Sequence, residues 1–182
     1  MILSDQTIKE YLSSGKIIVV PEVLIADIRP VGIRLHLGSD LLVPKPNQIV
    51  DLSQAQKVEY DPIKMQEVGY TLKPNEFILG TTKELIKVPR NIVCFLDGRS
   101  TFARLGLTIH VTAMVADGNF EEPGSIVLEM KNLSPMNLLL KPNLPIGMLL
   151  FNQIDREIAQ GVQFQYKGQK GVLPPDLINQ LK

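Results

Sequence analysis

Apolar and polar positions first follow a helical period and then break into short runs. Over residues 4–14, Ile8, Tyr11 and Leu12 fall on one face of a helix. Ser4 stands where a helix cap belongs, Leu3 and Ile8 occupy the positions of a hydrophobic staple, and Gly15 supplies a stop. The pattern predicts a helix over 4–14, the longest of the chain. From Lys16 onward the runs are strand-length and punctuated by Pro, Gly and Asn. They are Lys16–Val20, Gly32–Leu37, Glu76–Thr81, Ile92–Leu96, Leu107–Val111, Ser125–Lys131, Asn137–Leu140 and Ile146–Ile154. Leu105 to Val111 and Ile126 to Leu128 read as inner strands. Pro44–Gln66 is polar and reads as a surface excursion. The Gly/Gln-rich stretch from Gln160 reads either as a frayed tail or as a segment that orders over a site. Dense short strands indicate a mainly β barrel or sandwich.

Composition narrows this further. The 13 prolines argue against a helical bundle. A chain of 182 residues, 45% apolar and 21% charged, suits one globular domain. No internal repeat or low-complexity tract interrupts it. A net charge of zero argues against a nucleic-acid polymer bound through bulk positive charge, and leaves room for a small anion held by a few local cations. No apolar run approaches the roughly 20 residues that span a bilayer, and the N-terminus lacks a secretion pattern, so no membrane partner and a cytoplasmic location are expected. One cysteine, Cys94, permits no intrachain disulfide. With His36 and His110 it makes a poor zinc set, and neither an H-x-E nor a P-C-x-x-C motif is present, which argues against a zinc-type nucleobase deaminase.

Four stretches carry candidate chemistry. The run DGRSTFARLG, from Asp97 to Gly106, gathers a glycine, two hydroxyls and two guanidiniums. Such groups suit phosphate oxygens, and Ser100–Leu105 suits a short helix. A strand-to-turn connection with solvated arginines is the plainer alternative. Thr108–Ala113 then leads to Asp117-Gly118-Asn119-Phe120, where a carboxylate at a strand end can accept from a sugar hydroxyl or simply form a turn. His110 reads as a packed, hydrogen-bonded residue. In Ile126–Met130, Glu129 ends an apolar run. An inward Glu129 would be desolvated and ready for proton transfer; under strict alternation Leu128 and Met130 face in and Glu129 out. Tyr166 to Gly171 offers an aromatic ring, a carboxamide and two lysines, either as a lid or as a solvated tail.

Taken in order, MILSDQTIKEYLSSGKI, IRLHLGSDLLV, DGRSTFARLGLTIHVTA, ADGNF, IVLEMKN, LPIGMLLF and YKGQKG resemble the dCTP deaminase family of the dUTPase-like superfamily over nearly the whole chain. The resemblance implies a dUTPase-like distorted β-barrel of the β-clip type with a short N-terminal helix. It implies a single domain over 1–182, with 160–182 as its closing segment, and a homotrimer with active sites between subunits. It implies zinc-free deamination of dCTP to dUTP and ammonia, with Mg²⁺ carried by the triphosphate. Arg99, Ser100, Thr101, Phe102, Ala103 and Arg104 match the phosphate and active-site segment. Asp117 matches the carboxylate near the deoxyribose, and Val127, Leu128 and Glu129 the strand that reads the base. Glu129 matches the proton shuttle, with Ser100, Arg104 and the Ala113 carbonyl orienting it and the water. Tyr166 and Gln169 match the closure over the triphosphate.

Departures from the family pattern bear on the product. Val115 stands where many monofunctional members carry Arg and bifunctional members are apolar. Glu121-Glu122-Pro123 lengthens the turn by two residues. Gln165 replaces a basic residue, and LPPDLINQ replaces the usual Ser/Arg ending. The runner-up to dUTP formation is a bifunctional enzyme giving dUMP and diphosphate. A pure dUTPase is a weaker reading, because Phe120 stands closest to the expected turn Tyr and Glu129 is an acid. A silent nucleotide-binding regulator is the fourth.

Overall fold

The computed structural model describes residues 1–160, 166 and 168–180. Helix α1 (Asp5–Ser13) opens the chain. Leu3 and Ile8 are both buried, so the staple forms, and Gly15 adopts φ +70° just past the helix end. Ser4 sits at the cap in extended conformation, but its side chain makes no capping bond to the helix; its hydroxyl lies 3.5 Å from that of Thr7 instead.

Strands β1 (Ile18–Val20), β2 (Ile28–Arg29), β3 (Gly32–His36), β4 (Asp40–Pro44), β5 (Tyr60–Lys64), β6 (Tyr70–Leu72) and β7 (Phe77–Thr81) follow. Then come β8 (Leu85–Lys87), β9 (Ile92–Gly98), helix α2 (Ser100–Ala103), β10 (Leu107–Thr108) and β11 (Val115–Ala116). The chain finishes with β12 (Val127–Asn132), β13 (Leu138–Leu140), β14 (Pro145–Gln153) and helix α3 (Leu177–Gln180).

Two five-stranded sheets carry the architecture, in the orders β10-β12-β7-β4-β5 and β11-β9-β14-β3-β2. All their pairings are antiparallel. Two-stranded ribbons, β1-β8 and β13-β6, flank them. Among the described residues no closed barrel is formed by the named strands, but the two sheets are joined at one corner, where Leu37 bridges Thr82 and the Gly38 amide donates to the Thr81 carbonyl at 2.8 Å.

Alternation explains the packing. Leu128 and Met130, Ile78, and Leu41 point from the first sheet into one apolar cluster shared with Leu96, Leu149, Phe151, Ile33 and Leu35 of the second. Each such side chain contributes roughly 1.5–3 kcal/mol by leaving water. Glu84, itself buried, ties the second sheet to the chain before β8. Its carboxylate accepts from the His36 amide at 2.9 Å and lies 2.7 Å from His36 Nδ1.

Two expectations fail locally. Leu105–Val111 yields only β10, an edge strand, and the chain leaves it before Val111, which takes φ +42°. Pro44–Gln66 is not wholly an excursion, since β5 pairs with β4 over Tyr60–Lys64.

Candidate active site

The register of the first sheet determines what Glu129 faces. Leu128 and Met130 are 0% exposed and belong to the core, so Glu129 projects from the opposite face. Its cross-strand partner is Leu79, and Lys131 pairs with Phe77 on the same face. That face is not open surface. It forms the floor of a cavity of about 650 Å³, whose apolar side includes Tyr60, Phe77, Leu79 and Val127. Alternation and desolvation, alternatives in the sequence, thus hold together.

Desolvation pushes the Glu129 carboxyl up to about 7. Its Oε2 is buried without a hydrogen-bond partner among the described residues. The same holds for His110 Nδ1, and the two residues are joined by a parallel backbone bridge. His110 Nε2 lies 3.7 Å from the Asp97 carboxylate. His110 is thus less fully hydrogen-bonded than a packed structural histidine would be.

The turn after Val111 supplies a second wall. The Ala113 amide donates to the His110 carbonyl at 2.7 Å, and the tightened chain brings Ala113, Val115, Ala116, Asp117 and Asn119 to the cavity. Val115, 53% exposed, presents an apolar side chain there. Phe120 does not join them: it is 6% exposed and packed in the core cluster.

The C-terminal stretch supplies the third wall. Tyr166, Gln169, Leu173, Pro174 and Pro175 all line the cavity. The Ser125 amide donates to the Gln169 carbonyl at 2.8 Å, and the Ser125 hydroxyl to the carbonyls of Gln169 and Gly171 at 3.2 and 3.1 Å. The Gln169 amide group donates to the Gly171 carbonyl at 2.9 Å. The Asp176 amide donates to the Tyr166 phenol oxygen at 3.2 Å. Gly124 lies so close that an added Cβ would stand 3.4 Å from Gln169 backbone atoms. The stretch therefore orders over the cavity in its described part; Gln165 and Lys167 lie outside the described residues.

Sequence reasoning named Ala113, Asp117, Val127, Glu129, Tyr166 and Gln169, and the fold gathers all six around one cavity. The Leu128 side chain lies in the core, so only its main chain remains for a ligand. Arg99, Ser100, Thr101, Phe102, Ala103 and Arg104 are elsewhere. They form the α2 turn beyond the Asn132 end of β12, and none lines the cavity. Ser100, Thr101 and Arg104 are exposed there. Sequence reasoning missed Tyr60, Phe77, Leu79 and the Leu173–Pro175 wall. Phe77 and Leu79 alternate in phase with each other, but only the pairing with β12 reveals that they flank Glu129.

Comparison with known proteins gives a consistent result. The family model described as dCTP deaminase-like matches residues 2–154. A dCTP deaminase, dUMP-forming, of Methanobrevibacter smithii is 37% identical over 158 residues, covering 82% of this chain and 79% of the relative. A protein of the same description from Persephonella marina is 34% identical over 178 residues, covering 94% of each. A dCTP deaminase of Pseudoalteromonas atlantica is 37% identical over 188 residues, covering 95% of this chain and 94% of the relative. The crystal structure of 2'-deoxycytidine 5'-triphosphate deaminase from Agrobacterium tumefaciens superposes with a TM-score of 0.62 at 13% identity. That match covers 82% of this chain and 48% of the longer one, and it supports the dUTPase-like fold. The chain belongs to the dCTP deaminase-like family.

Proposed function

We propose that the protein deaminates dCTP at C4 of cytosine without zinc and carries the nucleotide on to dUMP and diphosphate. The observation that carries the deamination is Glu129: a desolvated carboxyl, pushed up to about 7, with an unpartnered oxygen facing a nucleotide-sized cavity. Water adds to C4. Glu129 takes one proton from the attacking water and delivers it to the ring nitrogen, then takes the remaining hydroxyl proton of the adduct and delivers it to the amine, so that ammonia leaves as the C4 carbonyl forms. A shuttle needs a group whose affinity for a proton lies near the working pH. Such acid–base work supplies about 10²–10⁴-fold, and oriented dipoles supply the remainder. The Ala113 carbonyl would orient the attacking water, and Asp117 would accept from the deoxyribose hydroxyl.

Formation of dUMP was the runner-up reading of the sequence, behind dUTP. Two of the relatives named above are dUMP-forming, and the apolar Val115 lines the cavity where many monofunctional members carry Arg. Both favour the bifunctional reading. Mg²⁺ would enter with the triphosphate, since hard cations prefer phosphate and water oxygens.

The cavity carries no arginine or lysine among its described lining residues, although a triphosphate demands cations. Arg99 and Arg104 would have to arrive from another copy, which fits a homotrimer with sites between subunits.

Incubation with dCTP and Mg²⁺, with products resolved by anion-exchange chromatography, tests the proposal. Ammonia, dUMP and diphosphate are expected in equal amounts. Accumulating dUTP would remove the second step, and conversion of dUTP but not dCTP would remove the first.

A further inference from the structure

The α2 turn holds one of its two arginines in a specific pose. Arg99 is the residue capping α2, and the amides of Phe102 and Ala103 both donate to its carbonyl at 2.9 Å. That turn places Arg99 and Phe102 three residues apart on one helical face. The Arg99 guanidinium lies over the Phe102 ring, 5.1 Å from its centroid. Its Nη1 donates to the Pro145 carbonyl at the start of β14, at 2.9 Å. Phe102 is itself partly buried and packed against the core cluster. The ring is thus anchored below while supporting a cation above. Arg104, by contrast, is exposed and appears in none of the ion pairs or side-chain hydrogen bonds found among the described residues.

A guanidinium has five N–H donors in a planar fork. One of those on Arg99 is spent on Pro145, and the ring covers a face rather than an edge. The other donors make no hydrogen bond among the described residues while the rotamers are already restricted, and preorganisation of this kind raises affinity without adding a contact. We propose that Phe102 is a positioning residue: its ring holds Arg99 in the pose that meets the substrate triphosphate. Its part in binding is then indirect, through Arg99, rather than a contact of its own with substrate. The inference rests on the reading that Arg99 binds phosphate.

Steady-state kinetics with dCTP on Phe102→Leu, Phe102→Tyr, Arg99→Ala and the double variant Phe102→Leu/Arg99→Ala test it. Leu keeps most of the buried volume without an aromatic face; Tyr keeps the ring. An exposed cation–π contact corresponds to about two- to fivefold in a binding constant. Phe102→Leu is expected to raise KM by about that factor, with kcat altered less than KM. Phe102→Tyr restores KM, and Phe102→Leu adds nothing once Arg99 is Ala. If Phe102→Leu does not fold, Phe102→Met takes its place. An unchanged KM in Phe102→Leu alongside a raised KM in Arg99→Ala overturns the positioning role and leaves the phosphate role intact. Additive effects in the double variant overturn it too, because the ring then acts independently. An unchanged KM in Arg99→Ala overturns the phosphate reading itself.

Discussion

At the scale of single residues, Glu129 is where the sheet gives up stability. A carboxyl pushed up to about 7 keeps its proton in the folded chain at pH values where the unfolded chain has lost it. Stability therefore falls as pH rises from about 4.5 through about 7, the opposite of a salt-bridged carboxylate. Glu129→Gln removes that penalty. The variant is expected to unfold later than wild type at pH 8 by about 1 kcal/mol, allowing for the partial exposure of the group, and to match it at pH 4. The same variant should bind dCTP and release no ammonia. Wild-type kcat/KM should rise with pH through about 7 as the base becomes available. Thermal melts at both pH values, read beside ammonia release, check this; retained turnover in Glu129→Gln would remove the proton shuttle.

At the scale of elements, the short period of β12 was readable in the chain, but its meaning was not. Periodicity left Glu129 free to face in or out, and the structure places Leu128 and Met130 in the core with Glu129 on the opposite face. What lies against an outer face depends on chain far away: here the Ala113 turn and the Gln169 stretch. Strand register is likewise non-local, so the Leu79 and Phe77 neighbours of Glu129 were invisible, and β5 was lost inside a polar segment. Backbone irregularity escaped for a different reason. Val111 is β-branched and reads as strand, yet it takes a positive φ just after the His110–Glu129 bridge, where the chain turns toward the cavity. Glycine junctions allow a direct comparison. Gly106 (φ +84°) joins α2 to β10, and an added Cβ would stand 2.8 Å from the Ser134 backbone nitrogen. Gly15 (φ +70°) has nothing within 4 Å. Both alanine variants suffer the left-handed strain of about 1–2 kcal/mol, and Gly106→Ala also displaces the chain at Ser134. Urea unfolding should show Gly106→Ala as clearly the less stable; equal midpoints would mean that the junction relaxes freely.

At the scale of the whole molecule, the candidate chemistry is divided. One end of β12 presents Glu129 to a cavity with Asp117 and Gln169, while the chain beyond its other end carries Arg99, Ser100 and Arg104 on an exposed turn. A short helix and an ordered sheet edge do not bend to bring these sets together within one chain. Family resemblance, rather than periodicity, supplied the idea that they act together; on the proposed reading the two sets would meet between copies of the chain. That reading can be tested by complementation. Chains carrying Glu129→Gln and chains carrying Arg104→Ala should each be inactive as pure assemblies. Refolded together in equal amounts, they place an intact Glu129 beside an intact Arg104 of a neighbour in about a quarter of the sites of a cyclic trimer. About a quarter of wild-type deamination should then return. If native mass spectrometry finds mixed trimers and no activity appears, each site draws both groups from one chain, and the division seen here does not describe the working enzyme.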